Sequence, residues 1–201
     1  MKTIQRSIVS LFATLLATIF VSTPDAAPYQ KGDVKLQSIG PLATGPDGVL
    51  FVSDPKAASI IAIKTEAKPT DKSPGNFKVE GLNAKVAAVL GASVDQVRIV
   101  DLAVDSASKT AYMSVVRGQG ADANAVVVSV HPSGKIHVLS LKNIQHSVAK
   151  LSNAPDDKET GTGRRRRNQR MESITDIAFV KGKVIVAGLS NDCLLYTSPS
   201  P

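Results

Sequence analysis

Three stretches of this chain repeat one pattern. "IGPLATGPDGVLFVSD" runs over 39–54, "IVDLAVDSASKTAYMSV" over 99–115 and "ITDIAFVKGKVIVAGLSN" over 174–191. Each opens Ile-x-(Asp/Pro)-(Leu/Ile)-Ala, turns, and returns through a β-rich run at 50–53, 111–115 or 184–187. The turns are Pro46-Asp47-Gly48, Ser106 to Lys109, and Lys181-Gly182, all made of residues that hairpin turns need. A unit of this kind cannot bury its apolar face alone, so the copies must stack. Ala43, Ala103 and Ala178 fall in register. A small side chain there lets an inner strand approach its neighbours closely.

The segments after the first two hairpins recur as well. Ser59–Lys64 and, past a polar loop, Phe77–Glu80 follow the first. Ala125–Val130, a His131-Pro132-Ser133-Gly134 turn and Lys135–Leu141 follow the second. Each unit is then a four-stranded antiparallel meander, the blade of a β-propeller. The expected fold is all-β, a partial β-propeller with about two and a half blades in 28–191. Blade 1 covers about 36–82, blade 2 about 97–145, and half of a third blade 173–191. The in-register alanines are 60 and then 75 residues apart, long for a blade, and two insertions account for the excess. One is a short helix in 83–96, with Asn83 as its cap, Val86, Val89 and Leu90 on one face, and Gly91 ending it. The other is a polar loop over 146–172.

The amino terminus reads as an export signal over 1–27. Lys2 and Arg6 precede an uncharged apolar run from Ile8 to Val21, followed by Pro24 and the small residues Ala26 and Ala27. That run is short for a membrane span; an uncleaved anchor is the lesser reading. The expected location is secreted or periplasmic, with no stable membrane span after cleavage. The single cysteine, Cys193, lies beyond the repeats, so stability must come from core area or ring closure rather than disulfides. Removing 1–27 takes away two positives and one negative, and the net charge of +7 becomes +6. Five of those positives are Arg164, Arg165, Arg166, Arg167 and Arg170, which leaves the rest nearly neutral.

Two resemblances bear on this chain. "GPDGVLFVSDPKAASIIAI" resembles the repeat of exported NHL/SMP-30-type β-propellers, in which a PDG turn joins the first two strands of a blade. The resemblance covers roughly 36–191 and implies the propeller fold. Some relatives of that type are sugar lactonases with an axial metal held by carboxylates and Asn. No position-by-position match to that ligand set is found here. The last residues, "CLLYTSPSP" over 193–201, resemble translated sequencing-adapter sequence, which implies a probable non-native tail from 192 and further blades missing after it. The alternative is a genuine carboxy-terminal tail.

Few residues carry recognisable chemistry. Asp101 and Asp176 occupy the same repeat position, with Pro41 in the first unit. On a channel-lining strand the two carboxylates would converge on a cation or polar ligand, so a divalent cation is possible in a complete ring. Otherwise they accept backbone amides at strand ends. Asp54 and Asp105 follow turn logic. The arginine run is an anion-binding candidate for phosphate, a polyanionic glycan or a membrane surface. Asp156, Asp157, Glu159 and Glu172 largely offset it, which makes a solvated loop the competing reading. No aromatic residues interleave for base stacking, and export argues against a nucleic-acid partner. His131, His137 and His146 lack metal-ligand spacing and read as surface residues. The sequence contains no G-x-S-x-G, H-E-x-x-H or P-loop; "RGQGADANA" lies between strands and does not open a helix. Two function classes stand open. One is a binding or scaffold module for a protein or glycan; the other is a lactonase-like hydrolase or quinoprotein-like oxidoreductase with an axial metal.

Overall fold

The computed structural model describes residues 28–71 and 78–191; the export signal, Phe77, Cys193 and the tail lie outside them. In chain order the elements are β1 (Gln30–Gly32), β2 (Leu42–Thr44), β3 (Val49–Asp54), β4 (Ser59–Lys64), α1 (Leu82–Leu90), β5 (Val97–Val104), β6 (Ala111–Arg117), β7 (Asn124–Val130), β8 (Ile136–Val138), β9 (Ile144–Lys150), β10 (Glu159–Thr160), β11 (Arg167–Asn168), β12 (Asp176–Val180) and β13 (Lys183–Ala187). Every pairing is antiparallel. Five strands in the order β1-β9-β4-β3-β2 form sheet I, and β5-β6-β7-β8 form sheet II. Hairpins β10–β11 and β12–β13 stand apart from both.

All three repeated hairpins form, as β2–β3, β5–β6 and β12–β13. The turn of the third is two residues long, with Lys181 at φ 49° and Gly182 at φ 80°. Both values are left-handed, the geometry whose twist matches the flanking strands.

One expected strand does not form. Residues 78–80 are not strand, and the fourth strand of sheet I is β9, which pairs with β4 from Ser59↔Lys150 to Ile63↔His146. Sheet II and its preceding helix are therefore inserted between the third and fourth strands of sheet I. The loop expected at 146–172 consequently begins inside a strand and later forms the β10–β11 hairpin. Helix α1 is close to expectation in extent but not in its cap. Gly81, at φ 62°, precedes it with no side-chain cap, Val89 is exposed, and Val86, Ala87 and Leu90 are buried. Gly91 ends the helix at φ 59°, its amide and that of Ala92 returning to Ala88 and Ala87.

The layers stack in the order α1, sheet II, sheet I, β12–β13. Val86 and Leu90 of α1 pack on Met113, Val115, Val128 and Val130. Leu50, Val52, Ile61 and Ile63 of sheet I meet Tyr112 and Val127 of sheet II. The opposite face of sheet I, with Ala43, Phe51 and Ile60, takes Ile174 and Ile177. There Phe51 and Phe179 stack at 5.5 Å between ring centroids and 17° between planes.

The repeats pack with one sense. Strand β2 lies between β5 and β12. In the three units Ile177 faces sheet I, Leu42 faces sheet II, and Leu102 points on toward the α1 side. The in-register alanines point the other way: Ala103 toward sheet I, Ala43 toward the third hairpin, and Ala178 into solvent.

Candidate functional site

The leading ends of β2, β5 and β12, with the turns between the second and third strands of each sheet, meet at one end of the stack. Asp54 builds the first part of this end. Its buried carboxylate accepts hydrogen bonds from the amides of Gln37 (2.7 Å), Ser38 (3.0 Å) and Ala57 (3.1 Å) and from the Ser38 hydroxyl (2.8 Å). One side chain thereby fastens the segment leading into β2 to the β3–β4 turn. Asp105 does similar work in the β5–β6 turn, accepting the Ser108 hydroxyl at 2.5 Å and the amides of Ser108 and Ala107. Burial opposes its ionisation, but the Ser108 and Ala107 hydrogen bonds and nearby Lys109 outweigh that and hold the carboxyl below its ordinary range.

Asp101 is placed by a β-bulge. The register of β5 on β6 slips between Ile99 and Asp101, and the extra residue reverses the alternation of side chains. Ile99 packs on the α1 side, whereas Asp101 and Ala103 turn toward sheet I. The Asp101 carboxylate accepts the amide of Leu42 at 2.8 Å, joining the inner strands of the two sheets. Asp176 is exposed, on the face of β12 away from sheet I, and accepts the amide of Ile177 at 2.8 Å. The two carboxylates therefore lie on opposite sides of β2 and do not share a site. Among the described residues no group of three or more His, Cys, Asp or Glu side chains is placed to hold a metal ion. Asp101→Ala is expected to lower stability by about 1.5–3 kcal/mol, the range for a hydrogen bond to a charged group. The measurement is a melting curve with and without divalent cation. A cation-dependent midpoint in the parent, lost in the variant, would contradict the strand-joining role.

The five arginines are not one cluster. Arg164 and Arg165 form the tip of the β10–β11 hairpin, Arg166 pairs with Glu159, and Arg167 pairs with Glu172 at 3.7 Å. These pairs are exposed and contribute little to stability. Arg170 is half-buried, and its Nε is buried without a hydrogen-bond partner. The tip is the same six-residue Gly-x-Gly connection that joins β6 to β7. Gly118 and Gly161 have φ 89° and 85°, and Gly120 and Gly163 have φ 59° and 55°. A Cβ on Gly118 or Gly161 would come within 2.6 Å of a carbonyl oxygen of the same loop, so only glycine fits.

His131 and His137 are exposed, but His146 is not. It sits on β9 between β1 and β4, buried, with Nδ1 3.1 Å from the Ile144 carbonyl and Nε2 3.4 Å from the Gln30 amide. A strand flanked on both sides within a sheet, by β1 and β4, which the sequence order conceals, explains the departure from the surface reading.

Among the described residues two clefts stand out as large enough for a small ligand. The larger, about 540 Å³, has Lys31, Lys64 and Lys142 beside Asp47 and Glu66, so its charges offset. The smaller, about 350 Å³, lies at the loop end between the two sheets. It is lined by Ser38, Lys56, Arg98, Asn124 and Met171 and contains no carboxylate. Among the described residues neither Lys56 nor Arg98 forms an ion pair. Sequence reasoning missed both. They are 42 positions apart in an ordinary turn and an ordinary strand, and nothing short of the folded stack brings them together.

No protein-family model, no curated protein and no solved structure matches this chain. Among the described residues no helix is long and apolar enough to cross a membrane.

Proposed function

We propose that this chain is an exported, NHL/SMP-30-like propeller-type binding module that takes an anionic saccharide in the cleft between sheets I and II. The common packing sense of the three repeated hairpins supports the propeller-type arrangement, since stacked blades must present opposite faces to their two neighbours. Secretion or periplasmic location follows from the amino-terminal signal pattern. The observation that carries the ligand class is the lining of the loop-end cleft: Lys56 and Arg98 without a carboxylate between them. Both cations are exposed, and two like charges facing one cleft add their fields and raise the local concentration of an anion. Asn124 adds an amide group suited to a polyol, and Ile39 and Val116 give the wall apolar surface. A metal-dependent lactonase or quinoprotein reading has no such support, because Asp101 is engaged by the Leu42 amide.

Titration calorimetry with uronic-acid and sulfated oligosaccharides tests the proposal. Lys56→Glu and Arg98→Glu are each expected to weaken binding at least about tenfold, which corresponds to roughly 1.4 kcal/mol, and the parent affinity should fall with salt. Affinity in both variants equal to that of the parent, no binding by the parent, or binding indifferent to salt overturns it.

A further inference from the structure

The arginine run plays no part in the cleft between the sheets. Arg164, Arg165, Arg166 and Arg167 are consecutive, and two basic residues stand side by side nowhere else in the chain. Residues 156–159 and 161–167 around them are exposed. The base of this hairpin is closed on both sides. The Asn191 backbone amide donates to the Asn153 carbonyl at 2.8 Å, and its side-chain amide to the Ala154 carbonyl at 3.2 Å. The Leu189 amide donates to the Glu172 carbonyl at 2.8 Å, and the Ser173 hydroxyl to the Pro55 carbonyl at 3.0 Å. Little holds the hairpin itself. Its ladder is two residue pairs long, Glu159↔Asn168 and Thr160↔Arg167. Among the described residues none from 155 to 171 contributes to the three apolar clusters that bind the layers together. Opening it costs that ladder, the exposed pairs of Arg166 with Glu159 and Arg167 with Glu172, and the bond from the Asn168 side chain to Asp157 at 2.6 Å. Segments with so few buried contacts open at the low end of the local-unfolding scale. The flanking elements are held independently of it. Strand β9 lies between β1 and β4, Ile174 and Ile177 are buried against sheet I, and Phe179 stacks on Phe51.

We propose that the run is a processing site for a serine endopeptidase that reads adjacent basic residues, and that the cut chain stays folded as one particle. Such an enzyme takes an arginine in a pocket bearing a carboxylate, where the guanidinium forms charge-assisted hydrogen bonds, and reads the preceding arginine through a second acidic subsite. Cleavage falls after Arg165, Arg166 or Arg167, each of which has an arginine before it. The peptide C–N bond breaks. Water supplies a hydroxyl to the arginine carbonyl carbon and a hydrogen to the nitrogen of the next residue. An extended substrate is what the enzyme binds, so the hairpin must open first, and the two-pair ladder lets it open without the sheets. The rival use of the run, gripping one anion with all four guanidinium groups, is opposed by Glu159 and Glu172, which already engage Arg166 and Arg167.

The inference does not depend on the saccharide reading of the cleft. The test is digestion of the full chain by a serine endopeptidase specific for paired basic residues, followed by intact-mass measurement and size-exclusion chromatography. A single cut within the run is expected, with the two pieces eluting together and the circular dichroism of the parent retained. The double variant Arg165→Gln/Arg166→Gln leaves no adjacent basic pair and should be cut at least about a hundredfold more slowly, since a subsite built for a charge rejects a side chain without one. Both positions are exposed, and circular dichroism checks that the variant folds. Urea below the unfolding transition should change the cutting rate no more than it changes that of a free peptide carrying residues 160–170, because opening the hairpin exposes little surface. A parent that resists the enzyme, a double variant cut as fast as the parent, a rate that follows global unfolding in urea, or pieces that separate without denaturant each overturns the proposal.

Discussion

Asp54→Ala is expected to cost about 3–4 kcal/mol of folding stability, because the substitution removes a buried carboxylate that accepts from several donors at once. Three amides and the Ser38 hydroxyl converge on this carboxylate. Alanine leaves these donors without their common acceptor, whose own position is buried. For a chain of this size that loss lowers the melting midpoint by roughly 10 °C. Asp54→Asn should fall between, since one oxygen still accepts while the new amide group meets other donors. Gln37 and Ser38 line the loop-end cleft, so saccharide affinity should decline in Asp54→Ala even well below its melting temperature. Thermal denaturation followed by circular dichroism measures the first effect. A midpoint within about 2 °C of the parent would show that the carboxylate does not hold this end together.

Gly188→Ala is the second large effect, and it acts through a single methyl group. A Cβ at Gly188 would lie 2.1 Å from the Ser173 carbonyl oxygen and 2.4 Å from its carbon. Both are backbone atoms, so no rotamer relieves the overlap. The Thr175 amide to Ala187 carbonyl bond and the Leu189 amide to Glu172 carbonyl bond, each 2.8 Å, fix the two segments against each other. To admit the methyl, the segments 172–174 and 187–189 must separate at the open end of the hairpin, where Ser173 and Ile174 are held against sheet I. That displaces the Phe51–Phe179 stack and uncovers Ile174 and Ile177. The expected loss is about 3 kcal/mol, the upper end for overpacking, and it should be local. Hydrogen exchange over 174–187 should quicken by a large factor while β3, β4, β6 and β7 keep their protection. Unchanged protection in the hairpin would mean the segments separate at little cost.

Much of the architecture was legible because it is written in short-range patterns. The three Ile-x-(Asp/Pro)-(Leu/Ile)-Ala hairpins, β4 and β7 and the Gly91 helix end all follow from alternation and turn residues that act within a few positions. The turn duties of Asp54 and Asp105 were legible for the same reason. The missed strand has the opposite character. Ile144–Lys150 carries a strand-like run, but nothing in the sequence says that it pairs with β4 rather than extending β8. That choice is made by which edge lies free once both sheets exist. His146 was misjudged as a direct consequence. Asn83 and Val89 failed on a finer point. The helix starts two residues earlier than a cap at Asn83 requires, and its rotation on sheet II selects Ala87 over Val89 for burial.

The candidate site divides along the same line. Asp101 and Asp176 were found by repeat position, and their amide-accepting role was one of the two readings open. Only the bulge at β5 decides that Asp101 reaches Leu42. Lys56 and Arg98 had no sequence signal at all.

What the sequence by itself determined is the repeating unit: its strand periods, its turns, its small inner residue and the low cysteine content that makes burial the source of stability. What only the tertiary structure decided is which units touch. Alternation within a strand assigns a side chain to one of two faces, but the face becomes inside or outside only when another sheet arrives to cover it. The physical reason is range. Turn and strand preferences act over a few residues, whereas the clefts and the Asp101 bond are set by contacts between segments far apart in the chain.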